Sequence, residues 1–345
     1  MAGRGVPDGV RHVHVVSRTA GKELLFGDLE KETFRKILFK QLKFSGLRAL
    51  AWCFMGNHFH LLLEVPDRES ALALLSDEAV LKRLAVFKEE KSTKFLLGEL
   101  ADCRRANNAA GVGRVVARVR ARLFDLSAFM KELKLRFTLA YNFAHGREGA
   151  LWEGRFRSVL VEPSGEALRA VAAYIDLNPI RAGMAERPED YRWCSYAAAV
   201  GGVRMARSGL VAAIAFGRTA TWAKAAERYR EYLFGVGHEV EGGQSPDGRV
   251  RAKGGFSQRE IEAVLAVGGK LTLAQALRCR VRYFTAGAVL GSREFVDAFF
   301  ERQRAFFGER RKSGGRRMKL AQWGGLRVLR DLKDGVLSVP GAAAD

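Results

Sequence analysis

Two apolar runs, residues 49–55 (ALAWCFM) and 59–65 (FHLLLEV), meet at Gly56-Asn57, and the second stops at Pro66. Gly-Asn is turn chemistry, so the pattern predicts two strands joined end to end. Residues 12–17 (HVHVVS) predict another strand, being rich in β-branched side chains. Residues 29–42 have helical spacing, with Phe34, Ile37, Leu38 and Leu42 on one side, and residues 127–143 predict a second strong helix. Residues 158–162 predict a further strand. Ser164 then caps a helix that runs to about Leu177, with Glu166 in its first turn, where a carboxylate suits the helix dipole. Strands interleaved with helices place the chain in the mixed α/β (α+β) class.

Three further regions set the organisation. Residues 68–125 predict a mostly helical insertion. Residues 236–255 are rich in glycine and charge and read as a linker between a domain spanning 1–235 and a basic unit spanning 256–345. That last unit opens on a capping box, Ser257 to Glu260, and its short helices with glycine breaks predict a small all-helical domain, a candidate for DNA binding. Its removal beyond about residue 240 is expected to weaken binding more than it harms chemistry.

The chain carries 58 Lys+Arg against 38 Asp+Glu, a formal charge of +20. About half of this excess lies beyond residue 250, densest at Arg310–Lys319. Nucleic acid is the commonest partner for such a surface. No apolar run approaches the roughly 20 residues that span a bilayer, so no membrane role is expected. The start shows no apolar core of a secretory signal. The four cysteines form no CxxC, which fits a reducing cytoplasm and, with the charge, a nucleoid-associated protein.

Two constellations carry chemistry. In a strand, residues two apart share a face, so His58 and His60 project together. They are either a metal-binding pair awaiting a third ligand or two polar residues on a solvated face. His12 and His14 have the same spacing, and spacing alone does not separate the pairs. On the helix, Tyr174 and Asn178 are i and i+4 and share a face, with Pro179 putting Asn178 at a helix end or kink. A tyrosine and an amide beside a metal suit phosphoryl transfer, the phenol acting as nucleophile.

Together the motifs become recognisable. NHFHLLLE at 57–64, the stretch 126–162 from LSAFMKELK to LWEGRFRSVLVE, YIDLNPIRAGM at 174–184 and PEDYRWCSY at 188–196 resemble the REP-associated tyrosine transposases of the single-tyrosine HUH transposase/nuclease superfamily. The match covers about residues 10–200, interrupted by the insertion, which compact relatives lack. The resemblance implies a ferredoxin-like fold with a central antiparallel sheet. It implies that His58, His60 and Asn178 hold Mg²⁺ or Mn²⁺ and that Tyr174 is the nucleophile. It further implies a metal-dependent endonuclease and strand transferase on single-stranded or hairpin DNA, working through a 5′-phosphotyrosine. The alternative is a non-catalytic hairpin-binding protein on a retired transposase fold. A homodimer is open. HVVSRTAGKELLF at 14–26 resembles that family's first strand; His14 falls in this motif and not in the HUH pair, so the resemblance implies that His12 and His14 are structural or DNA-facing.

Lys131, Lys134 and Arg136 on one helix, and Trp152, Arg155 and Arg157 beyond it, are the expected DNA contacts, mixing cations with a stacking ring. Tyr141 is the rival nucleophile. Arg181 either contacts phosphate or caps the helix end.

Overall fold

The computed structural model describes residues 9–234, 241–244, 250–252, 277, 283–318 and 323–329. Chain order begins β1 (Arg11–Arg18), α1 (Asp28–Ser45), β2 (Arg48–Phe54) and β3 (His58–Val65). Four helices follow, α2 (Arg68–Ala73), α3 (Asp77–Lys82), α4 (Lys91–Arg105) and α5 (Ala109–Arg120). Then come α6 (Leu126–His145), β4 (Arg157–Val161), α7 (Gly165–Asp176), α8 (Asn178–Arg181), α9 (Ser195–Val200), α10 (Arg204–Ile214) and α11 (Trp222–Phe234). The architecture is α+β: a seven-stranded, mostly antiparallel sheet with helices on both faces.

The first four strands lie in the order β2-β3-β1-β4, all antiparallel. The β1–β3 ladder runs from Arg11 opposite Val65 to Arg18 opposite His58. Because side chains alternate, this register sorts the sheet into two faces. Phe59 packs on Phe34 of α1 and on Trp152, and Phe34 in turn meets Phe137 of α6. That face is covered by α1 and α6. His14, His58 and His60 point to the opposite face, where Tyr174 of α7 lies over them. On this side α10 approaches β2 so closely that a Cβ on Gly209 would lie 2.4 Å from the Ala49 carbonyl.

The insertion is helical, as expected. It builds its own small core from Val80, Leu84, Phe87, Val116, Val119 and Leu123 against Phe44 of α1. Its end returns to the end of α1. Phe124 N–H donates to the Ser45 carbonyl at 2.8 Å, and the Phe124 ring fills the space where a side chain on Gly46 would be. Gly46 is left-handed (φ 80°), so glycine is required there twice over.

The all-helical C-terminal unit expected from sequence is not what the described residues form. Residues Val289–Gly291 pair in parallel with β4, and strands Arg327–Leu329 and Arg316–Arg317 continue the same sheet. The open edge of β4 needs partners, and it finds them: Leu160 and Glu162 donate to the carbonyls of Ala288 and Leu290, each at 2.8 Å. Strands of two or three residues leave no alternation to read, and Gly287 and Gly291 looked like helix breaks. Helices are present as well, Tyr283–Ala286 and Arg293–Arg302. The helix expected at Ser257 lies outside the described residues, as does most of the linker. Within the linker, Glu241–Gln244 and Val250–Ala252 pair antiparallel. Among the described residues, no helix is long and apolar enough to cross a membrane.

Candidate active site

The site is assembled from three segments far apart in sequence. β3 supplies His58 and His60, and β1 supplies His14, which lies diagonally across the ladder from His60 because Val16 is its direct partner. The helix α7 supplies Tyr174. Ser164 starts that helix by accepting from Ala167 N–H, and it stops at Leu177 ahead of Pro179. The Tyr174 ring centroid is 6.0 Å from that of His60 and 6.1 Å from that of His14, nearly perpendicular to both. His58 and His60 are 5.1 Å apart, centroid to centroid.

The imidazoles are neutral at ordinary pH. Burial, reinforced by Arg18 and Arg181, takes His58 down to about 4, and it pushes His60 well below the usual range. His14 is also brought to about 4, by burial first. Hydrogen-bond partners then fix which nitrogen of His58 carries its proton. Asn57 donates its amide N–H to the Lys22 carbonyl at 2.8 Å, so its Oδ1 faces His58. His58 Nδ1 is 2.7 Å from that oxygen and must donate. The Nε2 of His58 is left as a bare lone pair, the form that binds metal.

Asn178 sits at the break between α7 and α8, as its proline neighbour predicted. Its amide nitrogen donates to the carbonyls of Tyr174 (3.4 Å) and Ile175 (3.3 Å), so any metal ligation by this side chain would use Oδ1. Imidazole nitrogens and an amide oxygen are donor types that Mg²⁺ or Mn²⁺ accepts, with positions left for water and phosphate oxygens. No group of three His, Cys, Asp or Glu that could hold a metal occurs among the described residues, so the amide and the substrate would have to complete the shell.

Tyr174 is only 7% exposed. Phe284 stacks on it at 4.6 Å, and the Arg181 guanidinium lies 4.0 Å from its ring centre. Arg181 resolves its two readings toward the helix end: it donates to the carbonyls of Tyr174 and, at 2.6 Å, Leu277. Behind the tyrosine, Asp176 anchors α7. Its Oδ1 accepts from Ser195 Oγ (2.7 Å) and Tyr196 N–H (3.0 Å), and its Oδ2 accepts from the Tyr229 hydroxyl (2.7 Å). Burial outweighs these bonds and raises its carboxyl to about 6. The anchor escaped the sequence reading because its partners lie on α9 and α11.

The expected DNA contacts divide. Arg155 and Arg157 are exposed and, with Arg18, line a cleft of about 170 Å³ that also takes in Val16, Ser17, Glu153 and Gly154. Arg18 was missed by the sequence reading; it stands opposite His58 in the ladder. Lys131 is exposed on α6. Lys134 donates to the Gly154 carbonyl and lies over the Trp152 ring, which holds the turn that carries Arg155. Two residues have other jobs. Arg136 binds Glu90 through two bonds (2.9 and 3.0 Å), Glu132 at 2.7 Å and Gln41 at 3.1 Å, so its charge is consumed in fastening the insertion. Trp152 packs among Phe26, Phe34, Phe59 and Phe137, with Nε1 donating to Thr138 at 3.0 Å. The ring is partly buried, with one side packed against the core. Tyr141, the rival nucleophile, is buried against Phe137 on the α1/α6 side, across the sheet from the histidines.

Comparison of the sequence with protein families and with curated proteins finds no match. Among solved structures, the chain is similar to a REP-associated tyrosine transposase bound to a REP hairpin. The TM-score is 0.36 and the identity 14%, over 59% of this chain and 85% of that one.

Proposed function

We propose that this chain is a metal-dependent, single-tyrosine nuclease and strand transferase of the HUH type, acting on single-stranded or hairpin DNA. The observation that carries the reading is the position of Tyr174, whose ring lies 6.0 Å from that of His60 although helix and strand are remote in sequence. The β1-α1-β2-β3-α6-β4 order, with α1 and α6 on one face, supports the ferredoxin-like arrangement that the sequence motifs imply.

In this mechanism Arg18, Arg155 and Arg157 receive backbone phosphates in their cleft and orient the strand. Tyr174 Oη attacks phosphorus. The P–O3′ bond breaks, a 5′-phosphotyrosine forms, the phenol loses its proton and the departing 3′-oxygen gains one. His58, His60 and Asn178 would hold the divalent cation, which when bound supplies charge neutralisation at the phosphate. Because the link is still a phosphodiester, a 3′-OH can reverse the step without a nucleotide cofactor. Phe284 and Arg181 hold the phenol ring in place and shield it from bulk water.

The covering of Tyr174 by Phe284 favours a second reading, a hairpin-binding protein that does not cut. One assay separates the two. End-labelled hairpins with Mg²⁺ or Mn²⁺ are expected to give a covalent protein–DNA band with wild type and none with Tyr174→Phe or with chelator. Hairpin binding without any adduct would leave the second reading standing.

A further inference from the structure

His14 was set aside with His12 by the sequence reading, yet it is in direct contact with His60. Its ring stacks on His60 with centroids 5.1 Å apart and planes at 22°. His14 Nε2 lies 2.9 Å from His60 Nδ1, and His14 Nδ1 lies 2.7 Å from the Phe284 carbonyl oxygen. Both side chains are buried, His14 at 1% and His60 at 3% exposure.

The chemistry of this chain of contacts has one solution for neutral rings. A carbonyl oxygen only accepts, so the His14 proton must sit on Nδ1. His14 Nε2 is then a lone pair, and it can pair with His60 only if His60 Nδ1 carries a proton. That leaves His60 Nε2 bare. The opposite assignment would set a lone pair of His14 against the Phe284 carbonyl at 2.7 Å and leave a buried acceptor unsatisfied. We infer that His14 is a positioning residue that relays the polarity of the Phe284 carbonyl to His60 and fixes the tautomer and ring orientation in which His60 Nε2 is free to bind a divalent cation. The cation is the part of this inference that rests on the nuclease reading; the tautomer does not.

The role differs from core filling. A leucine would fill the space but carry no polarity. A glutamine offers one acceptor and one donor, and can accept from His60 and donate to Phe284. Outer partners of metal-ligating histidines are commonly worth 10- to 100-fold in metal affinity.

The test uses the full chain. In the metal-free protein, ¹⁵N imidazole spectra are expected to show His60 protonated at Nδ1 in wild type and in His14→Gln, and to lose that preference in His14→Leu. A wild-type His60 protonated at Nε2, or one unchanged in His14→Leu, overturns the inference, and the wild-type spectrum decides this even if His14→Leu fails to fold. Titration with Mn²⁺ alone, followed by electron paramagnetic resonance, is expected to show His14→Leu binding roughly 10- to 100-fold more weakly and His14→Gln near wild type. Equal affinity in His14→Leu and wild type overturns the ligand-positioning role. Wild type with the expected tautomer but no Mn²⁺ binding overturns that role through the nuclease reading, not through the relay.

Discussion

Two additions lengthen the β1-α1-β2-β3-α6-β4 unit, and they attach to it in opposite ways. The insertion between β3 and α6 folds around a core of its own and meets its host through Phe44, the Gly46–Phe124 contact and the Arg136–Glu90 pair. All three contacts are on or beside α1 and α6, across the sheet from the histidines. Among its described residues, the C-terminal segment has a small cluster of its own, around Val289, Val296, Phe300, Phe307 and Leu329. Its Phe284, Leu290, Trp323, Leu326 and Val328 belong to the main core instead. It extends the sheet from β4 and lays both a ring and a carbonyl on the site. An addition that buries its own apolar surface can hang on the periphery. One that borrows its host's core becomes part of what the host does.

The largest expected effect breaks this comparison directly. Ending the chain after Phe234 exposes the host face that Phe284, Leu290 and Trp323 cover. Burial of each such side chain is worth about 1.5–3 kcal/mol, so the loss should be several kcal/mol and a large fall in thermal midpoint. Replacing residues 68–124 by a short linker should leave cooperative unfolding and Mn²⁺ binding in place. Equal midpoints for the two deletions would erase the distinction. Because Phe284 touches Tyr174 and His14, the same deletion is expected to harm the chemical step as well as binding, whereas the sequence-based expectation puts the larger loss on binding.

What was legible in the sequence was what a single element encodes. Period-two alternation put His58 and His60 on one face, and i, i+4 spacing put Tyr174 beside Asn178. What was not legible depends on register and on distant chain. His14 differs from His12 only through the ladder that sets it diagonal to His60, while His12 lies toward Glu64, with Nε2 at 3.5 Å from its carboxylate. Trp152 and Arg136 look like nucleic-acid contacts from their own neighbours, and only the packing of α1 and the insertion shows that Trp152 also packs on the core and that Arg136 is paired with Glu90 and Glu132. Phe284 lies more than a hundred residues beyond the tyrosine it covers, in a segment whose strands are too short to announce themselves.

A smaller effect sharpens the comparison from the back of α7. Asp176 is bound by Ser195, Tyr196 and Tyr229, none of them C-terminal to α11. Its carboxyl is raised from 3.8 to about 6, so the folded state holds the proton more tightly than the unfolded chain does. The protonated form therefore stabilises the fold: its contribution is complete below about pH 4 and is lost as pH rises through 6. The loss is on the order of 2–3 kcal/mol for a shift of this size. In denaturant melts from pH 4.5 to 7.5, the difference between wild type and Asp176→Asn should carry this slope. A flat difference would remove Asp176 as a titrating anchor.

Next in size is Arg136. Arg136→Ala leaves Glu90 and Glu132 without their shared partner and removes the guanidinium stacked 4.0 Å from the Phe87 ring centre. Partly buried, charge-assisted bonds of this kind are worth about 1.5–3 kcal/mol. Hydrogen exchange should accelerate across residues 68–124 while hairpin affinity stays within about twofold, a range far below the tenfold that 1.4 kcal/mol represents. A large loss of DNA binding with unchanged exchange would return Arg136 to the interface.

The smallest effect on stability should be the clearest on binding. Arg18 and Arg157 line the cleft beside β1 and β4, and no ion pair engages either among the described residues. Replacing one by alanine removes no buried partner, so the thermal midpoint should move little. Each guanidinium that meets a phosphate releases about one counterion, so each variant should lower the slope of log affinity against log salt by about 1. The double variant should lower it by about 2 if both contact the backbone at once. The same substitution at Arg136, whose charge is already neutralised, should leave the slope unchanged. Equal salt slopes for wild type, Arg18→Ala and Arg157→Ala would mean that DNA does not pass this cleft, and the strand would then have to reach Tyr174 from the side that the C-terminal segment covers.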